Sequence, residues 1–238
     1  MGQRLTGMVR SKRERSGAEP QSSEPSGRGE PASRLHSTEI TKEDVNLPKI
    51  FKGRLAFVLH NVFTAEECTK YIEDSENRGY ELALVNTGVG SQVKATDVRN
   101  SSRNIWDSKK EAKKILKRIR DYLPETWNGG KLVELNERLR FLRYDPGEYF
   151  KPHMDGSYKR DNGDESQITV FIYLNEGFVG GSTTFLSLFD SDDSREEVVP
   201  KTGSVLIFQH NIVHEGSELI KGRKYAIRTE VMYKDRNS

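Results

Sequence analysis

The chain has 238 residues, of which 34% are hydrophobic and 31% charged, and every Phe, Tyr and Trp lies beyond residue 50. The first fifth therefore lacks what a buried core needs, and no apolar run approaches the ~20 residues of a membrane-spanning helix. A single cysteine, Cys68, excludes an internal disulfide framework and a Cys-rich zinc module, and fits a reducing compartment, cytoplasm or nucleus. Residues 1–50 carry nine Lys/Arg against seven Asp/Glu, whereas the remainder carries 29 against 29. The basic excess belongs to the N-terminal stretch alone, so no nucleic-acid partner is expected of the body.

In chain order, residues 1–46 are rich in Gly, Pro, Ser, Arg and Glu and are expected to be a disordered tail. No apolar stretch follows Met1, so no signal peptide is expected. Gly2 sits in a loose myristoylation pattern followed by Arg10, Lys12, Arg13 and Arg15, and membrane attachment is expected only if Gly2 is acylated. Residues 47–238 are expected to form one domain. Phe51–Val58 has strand character. Thr64-Ala65-Glu66-Glu67 is a capping box, opening a helix to about Glu76 that ends before Gly79 and carries Cys68 as a small buried residue. Ala112, Ile115, Leu116 and Ile119 recur at helical spacing, predicting a second helix over Lys109–Leu123 with Lys and Arg on its wet face.

Beyond Asn128 the pattern becomes β-rich. Arg138–Tyr144, Ile168–Leu174, Ser182–Leu186, Ser204–Phe208 and Lys224–Tyr233 read as strands separated by Gly and Pro turns, with no helical pattern between them. The expected fold is mostly β with flanking helices: a double-stranded β-helix, or jelly roll, packed on the two N-terminal helices. Ser157–Ser166 is polar and expected to form a mobile lid, and Asp190–Glu197 a solvated hairpin tip.

Three of the five histidines, His153, His210 and His214, fall in the strand-rich half. His153-Met154-Asp155 places an imidazole and a carboxylate two residues apart, so on an extended segment both point the same way. A further histidine from a distant strand would complete two imidazoles and one carboxylate on one face of an octahedron, the set that suits Fe(II) with positions left open.

Tyr144-Asp145-Pro146-Gly147-Glu148-Tyr149-Phe150-Lys151-Pro152-His153-Met154-Asp155 resembles the first-ligand strand of the 2-oxoglutarate/Fe(II) dioxygenases, in their prolyl 4-hydroxylase branch. Phe171–Asn175 with Gly180-Gly181, then His214-Glu215-Gly216 and Lys224–Tyr233, resemble the family's later strands in the same order, over roughly residues 50–235. The resemblance implies iron ligation by His153, Asp155 and His214, with His210 the rival distal ligand. It implies that Lys224, ten residues past His214, grips the distal carboxylate of 2-oxoglutarate, with Arg228 the alternative anchor and Tyr144 and Tyr173 in the same pocket. Arg140, Arg99 and Asn100 are its substrate-side candidates, an alternative for Arg140 being a structural salt bridge.

The implied activity is hydroxylation of a C–H bond in a protein or peptide side chain, with O₂ consumed, succinate and CO₂ released, and ascorbate a candidate reductant. Two other functions stand beside it: hydroxylation of a small metabolite, and a catalytically silent metal-binding jelly roll. A nucleobase substrate is disfavoured by the absence of a basic face.

Overall fold

The computed structural model describes residues 39–86, 92–188 and 194–234. The Gly2 pattern, most of the expected tail and the tip of the acidic hairpin lie outside the described residues. Ordered pairing starts earlier than composition suggests: β1 (Thr41–Asp44) lies within the stretch assigned to the tail, yet it pairs antiparallel with β2 (Ala56–His60). All four of its side chains are exposed, so the strand is held by its backbone and leaves no apolar alternation to read. Strand β2 also starts later than expected. Lys49–Phe51 forms a 3₁₀ turn, and Gly53 at φ 81° redirects the chain before Ala56.

Helix α1 (Ala65–Arg78) begins at the capping box: Glu67 N–H donates to the Thr64 hydroxyl, and Thr64 N–H donates to the Glu67 carboxylate. It runs two residues past the expected end and stops at Gly79, φ 81°. Strand β3 (Ser102–Asp107) was not legible because its one buried side chain is Arg103 while Ile105 is exposed, so polarity does not follow burial along it. Helix α2 (Lys109–Ile119) is capped by Ser108, and a 3₁₀ turn over Arg120–Tyr122 replaces its expected last turn.

The remaining strands are β4 (Gly130–Leu135), β5 (Arg138–Tyr144), β6 (Phe150–His153), β7 (Glu165–Tyr173), β8 (Thr183–Leu186), β9 (Arg195–Val198), β10 (Val205–Gln209), β11 (His214–Gly216) and β12 (Lys224–Tyr233). They form two antiparallel sheets. The major sheet has the order β1-β2-β10-β7-β12-β5-β3, with β4 beside the far end of β12, and the minor sheet has the order β6-β11-β8-β9. The short pair Val179–Gly180 and Leu219–Lys221 closes one end.

Strand parity sorts the side chains into two cores. Leu139, Phe141, Ile168, Val170, Ile172, Tyr225 and Ile227 face outward from the major sheet and pack under α1 and α2, against Tyr71, Ile115 and Ile119. Leu142, Tyr144, Phe171, Tyr173, Phe208 and Ala226 face inward and meet Phe185 of the minor sheet. This is the expected jelly roll on two helices, and its inner face is where chemistry can be housed. Phe141 is fully buried, with its ring 6.2 Å from Tyr71 and 6.3 Å from Trp106. Phe141→Ala is expected to cost about 3–5 kcal/mol, read as a lower urea midpoint with an unchanged slope.

The Ser157–Ser166 segment is tied down rather than loose. Tyr158 N–H donates to Ser166 Oγ at 2.8 Å, Lys159 bridges Glu165, and the Arg160 guanidinium pairs with Glu134 and Glu137. Four polar side chains and one backbone bridge make a short hairpin out of what composition alone presents as a lid.

Candidate active site

The inner cavity lies between the sheets. Strand β6 brings His153, the chain two residues past its end brings Asp155, and β11 brings His214, because β6 and β11 pair with His153 opposite His214. Among the described residues these three form the only cluster of metal-ligating side chains, with ligand atoms all within 4.8 Å of one another. His153 Nε2 is 3.8 Å from Asp155 Oδ1, and His214 Nε2 is 3.8 Å from Asp155 Oδ2. Each imidazole turns its other nitrogen to a backbone carbonyl: His153 Nδ1 to Lys151 O at 2.7 Å, and His214 Nδ1 to Ile212 O at 3.0 Å. An N–H donated there fixes the tautomer and leaves both Nε2 lone pairs facing the carboxylate. Burial, with His214 adding to it, pushes His153 down to about 3, and burial also lowers His214, so both rings are neutral at pH 7. The Phe150 ring stacks on His153 with centroids 3.6 Å apart and restricts its rotation.

Asp155 is held on every side. Thr169 Oγ1 donates to Oδ2 at 2.5 Å, Arg228 Nη2 lies 2.9 Å from Oδ1, and Asp155 N–H donates to His210 O at 3.1 Å. Burial by itself would raise the carboxyl, but Arg228 first, then the two histidines, outweigh it and hold it well below the usual carboxylate range. Two neutral imidazoles and one ionised carboxylate on one face, with the other side open to the cavity, fit Fe(II) in both donor type and number. His210, the rival distal histidine, lies outside this cluster, and its ring nitrogens have no hydrogen-bond partner among the described residues.

Thr169 was missed in the sequence because it sits in the apolar run of β7, where its one signal is a hydroxyl among branched hydrophobes. Thr169→Val removes the donor without changing shape. It is expected to lower iron affinity 10- to 100-fold in a competition titration with a chelator.

Lys224 lies on the same inner face, 1% exposed, its register partner being Tyr144. Its ammonium donates to Gly181 O at 2.6 Å and stands over the rings of Tyr144, Phe171 and Tyr173 at 5.2, 5.6 and 5.6 Å. Among the described residues no carboxylate pairs with it. Burial alone brings it down to about 7. Gly181, at φ 69°, is needed for this approach: a Cβ there would lie 2.9 Å from Leu219 Cδ1 and 3.4 Å from Lys224 Cδ. Tyr173 donates to Thr183 Oγ1 at 2.7 Å, and burial raises its phenol.

The other expected residues fall in distinct places. Arg228 spans Asp155 and Glu230, so its guanidinium is engaged at the metal carboxylate rather than beside Lys224. Arg140 lines the cavity but pairs with Glu230 at 2.7 Å, the structural salt bridge weighed above. Arg99 lies at the cavity with its guanidinium over the Phe150 ring at 4.7 Å, donating to Ser101 Oγ. Asn100 clamps the turn before β6: its amide donates to Gly147 O and accepts from Tyr149 N–H. It thereby shapes the strand that carries His153 instead of facing the cavity.

A jelly roll that gathers two imidazoles and a carboxylate at one point, with a lone buried amine in the same cavity, has the architecture of a non-haem iron oxygenase. The 2OG-Fe(II) oxygenase superfamily profile matches residues 139–229. The chain is 30% identical over 202 residues to Probable prolyl 4-hydroxylase 10 of Arabidopsis thaliana, covering 72% of this chain and 66% of that protein. It is 28% identical to Prolyl 4-hydroxylase 5 of the same plant, covering 72% and 66%. It spans about two thirds of the length of these relatives. Among solved structures it resembles a Pseudomonas putida prolyl-4-hydroxylase, with a TM-score of 0.54 at 19% identity over 76% of this chain and 94% of that one. It also resembles a Trichoplax adhaerens prolyl hydroxylase in complex with a hypoxia inducible factor peptide fragment, with a TM-score of 0.56 at 16% identity over 79% and 86%. The chain belongs to the 2-oxoglutarate/Fe(II) oxygenase superfamily and is prolyl hydroxylase-like.

Proposed function

We propose that this protein is a 2-oxoglutarate-dependent Fe(II) dioxygenase that hydroxylates a prolyl residue in a peptide or protein. The observation that carries this is the shared cavity: His153, Asp155 and His214 converge at one wall, and Lys224 waits deeper on the same face. Iron with bound 2-oxoglutarate and O₂ supplies the oxidation, in which the cosubstrate becomes succinate and CO₂ and one oxygen atom enters the substrate C–H bond.

The protein's own groups bind and orient. His153, Asp155 and His214 hold the metal, and Thr169 and Arg228 keep the carboxylate ionised and aimed. Lys224 is the cosubstrate anchor in preference to Arg228, because its ammonium lacks an anionic partner and Arg228 has two. Tyr144 and Tyr173 wall that end of the cavity and keep water from the ammonium. Arg99 at the mouth is placed to hold a carbonyl of the substrate chain, with Phe150 stiffening both it and His153. A polypeptide substrate is favoured because relatives matched by sequence are named prolyl 4-hydroxylases. A cytoplasmic or nuclear setting fits Cys68, buried and pushed up to about 12 by burial, a thiol with no call for a partner.

The test is anaerobic purification, addition of Fe(II), 2-oxoglutarate and O₂ with and without ascorbate, and measurement of succinate alongside a screen of proline-containing peptides for a gain of one oxygen. Peptide-stimulated succinate with a matching oxidised proline is the expected result. Bound iron with no succinate on any peptide or metabolite overturns it and leaves a silent module, and succinate driven by a small metabolite reassigns the substrate.

A further inference from the structure

We propose that a second cleft, on the far side of Asp155 from the cosubstrate end, is a peptide subsite that holds the backbone flanking the target residue. The inference rests on the peptide reading above. The cleft is lined by Trp127, Met154, Gln167 and His210, and it shares Asp155 with the iron cavity, so the two adjoin at the metal ligand.

His210 is the anomaly that points to an occupant. It is 6% exposed, and neither Nδ1 nor Nε2 has a hydrogen-bond partner among the described residues. Buried polar groups are nearly always satisfied, and one that is not asks for a ligand or an ordered water. A neutral imidazole offers one N–H donor and one bare acceptor. That is the complement of a peptide unit, which offers one C=O and one N–H.

The walls agree on the occupant's chemistry. Gln167 accepts from the Asn128 amide at 3.3 Å, which leaves its own N–H₂ available. Asp155 is the one charged residue of the cleft, and it is already engaged by Arg228. A neutral, amide-rich cleft suits backbone, not a charged side chain. Met154 is 58% exposed and offers the cleft an apolar wall, and half-buried Trp127 adds an aromatic one of the kind that receives extended proline-containing segments.

Two probes separate the regions: acetyl-Ala-Pro-Ala-amide, long enough for the iron cavity alone, and a ten-residue alternating Ala-Pro peptide, which can reach roughly 35 Å when extended. Their dissociation constants are measured by calorimetry on the anaerobic enzyme loaded with Fe(II) and 2-oxoglutarate. The wild type is expected to bind the long peptide more tightly. His210→Phe and the rim variant Gln167→Ala are each expected to weaken the long peptide about tenfold, as loss of a buried hydrogen bond would, and to leave the short one unchanged. Gln167→Ala keeps the test alive should His210→Phe fold poorly. No gain with length, no effect of either variant, or equal weakening of both peptides overturns the subsite, the last pointing to a distorted metal site. A wild type that binds neither peptide and forms no succinate on them sinks the peptide reading itself, and the subsite with it.

Discussion

Asp155→Ala is expected to empty the metal site and to loosen the metal-free protein as well. The first effect follows from ligation: two imidazoles alone, with Nε2 atoms that converge on the missing carboxylate, hold Fe(II) far more weakly. Iron content after exposure to a mild chelator should fall from near one per chain to near zero, with loss of succinate formation. The second effect follows from charge. Asp155 and Arg228 are 8% and 18% exposed at the side chain, and removing one partner of a buried pair strands the other. Such losses run to about 3–5 kcal/mol, and the surviving Arg228–Glu230 contact at 3.0 Å puts this one at the low end, about 3 kcal/mol. His214→Ala is the contrast: it loses metal equally, but its ring is neutral and leaves no charge unpaired. Chelator-resistant iron in Asp155→Ala, or equal unfolding free energies for the two metal-free variants, would contradict the arrangement.

Lys224→Met is expected to stabilise the metal-free protein while abolishing its hold on 2-oxoglutarate. In the native protein the amine titrates at about 7, and in the unfolded chain at its ordinary 10.5. Between those values the unfolded chain binds one more proton than the native one, so stability rises with pH across this window. Below pH 7 the burial penalty is at its full size, several kcal/mol, and methionine removes it because its stem is apolar and similar in length. Affinity for 2-oxoglutarate should drop by 30-fold or more, the result of deleting one partner from a buried charge pair of about 2–5 kcal/mol.

The same amine gives cosubstrate binding a pH signature. A dicarboxylate restores the ammonium, so binding at pH 8.5 must take up nearly one proton, and affinity should weaken about tenfold per pH unit from 7 upward. Calorimetry in two buffers of different ionisation enthalpy reads the uptake directly. Lys224→Met should show neither the uptake nor the slope. Proton-neutral binding by the wild type would place the anchor elsewhere, with Arg228 the next candidate.

Much of this molecule was legible in its residue order because the signals were local. The Thr64–Glu67 box marks a helix start by hydrogen bonds that span three residues, and the α2 stripe follows from a 3.6-residue repeat. His153 and Asp155 share a face because they are two residues apart, and Tyr144, Lys224 and Tyr173 fall on the inner face by the same alternation. Strand β1 escaped notice because backbone pairing, not apolar burial, holds it, and β3 because its buried side chain is the polar Arg103.

What the linear chain determined, then, was the inventory: which strands carry inward-facing ligands, and that an amine lies among them. What only three dimensions decided was the allocation of partners. Whether Arg228 serves the cosubstrate or the metal carboxylate and whether Arg140 meets substrate or Glu230 depend on contacts between residues 73 and 90 apart, and the place of His210 depends on the same packing. Such contacts are set by how two sheets close over one another. A guanidinium pairs with whichever carboxylate that closure brings within 3 Å, and no alternation along a single strand encodes the choice.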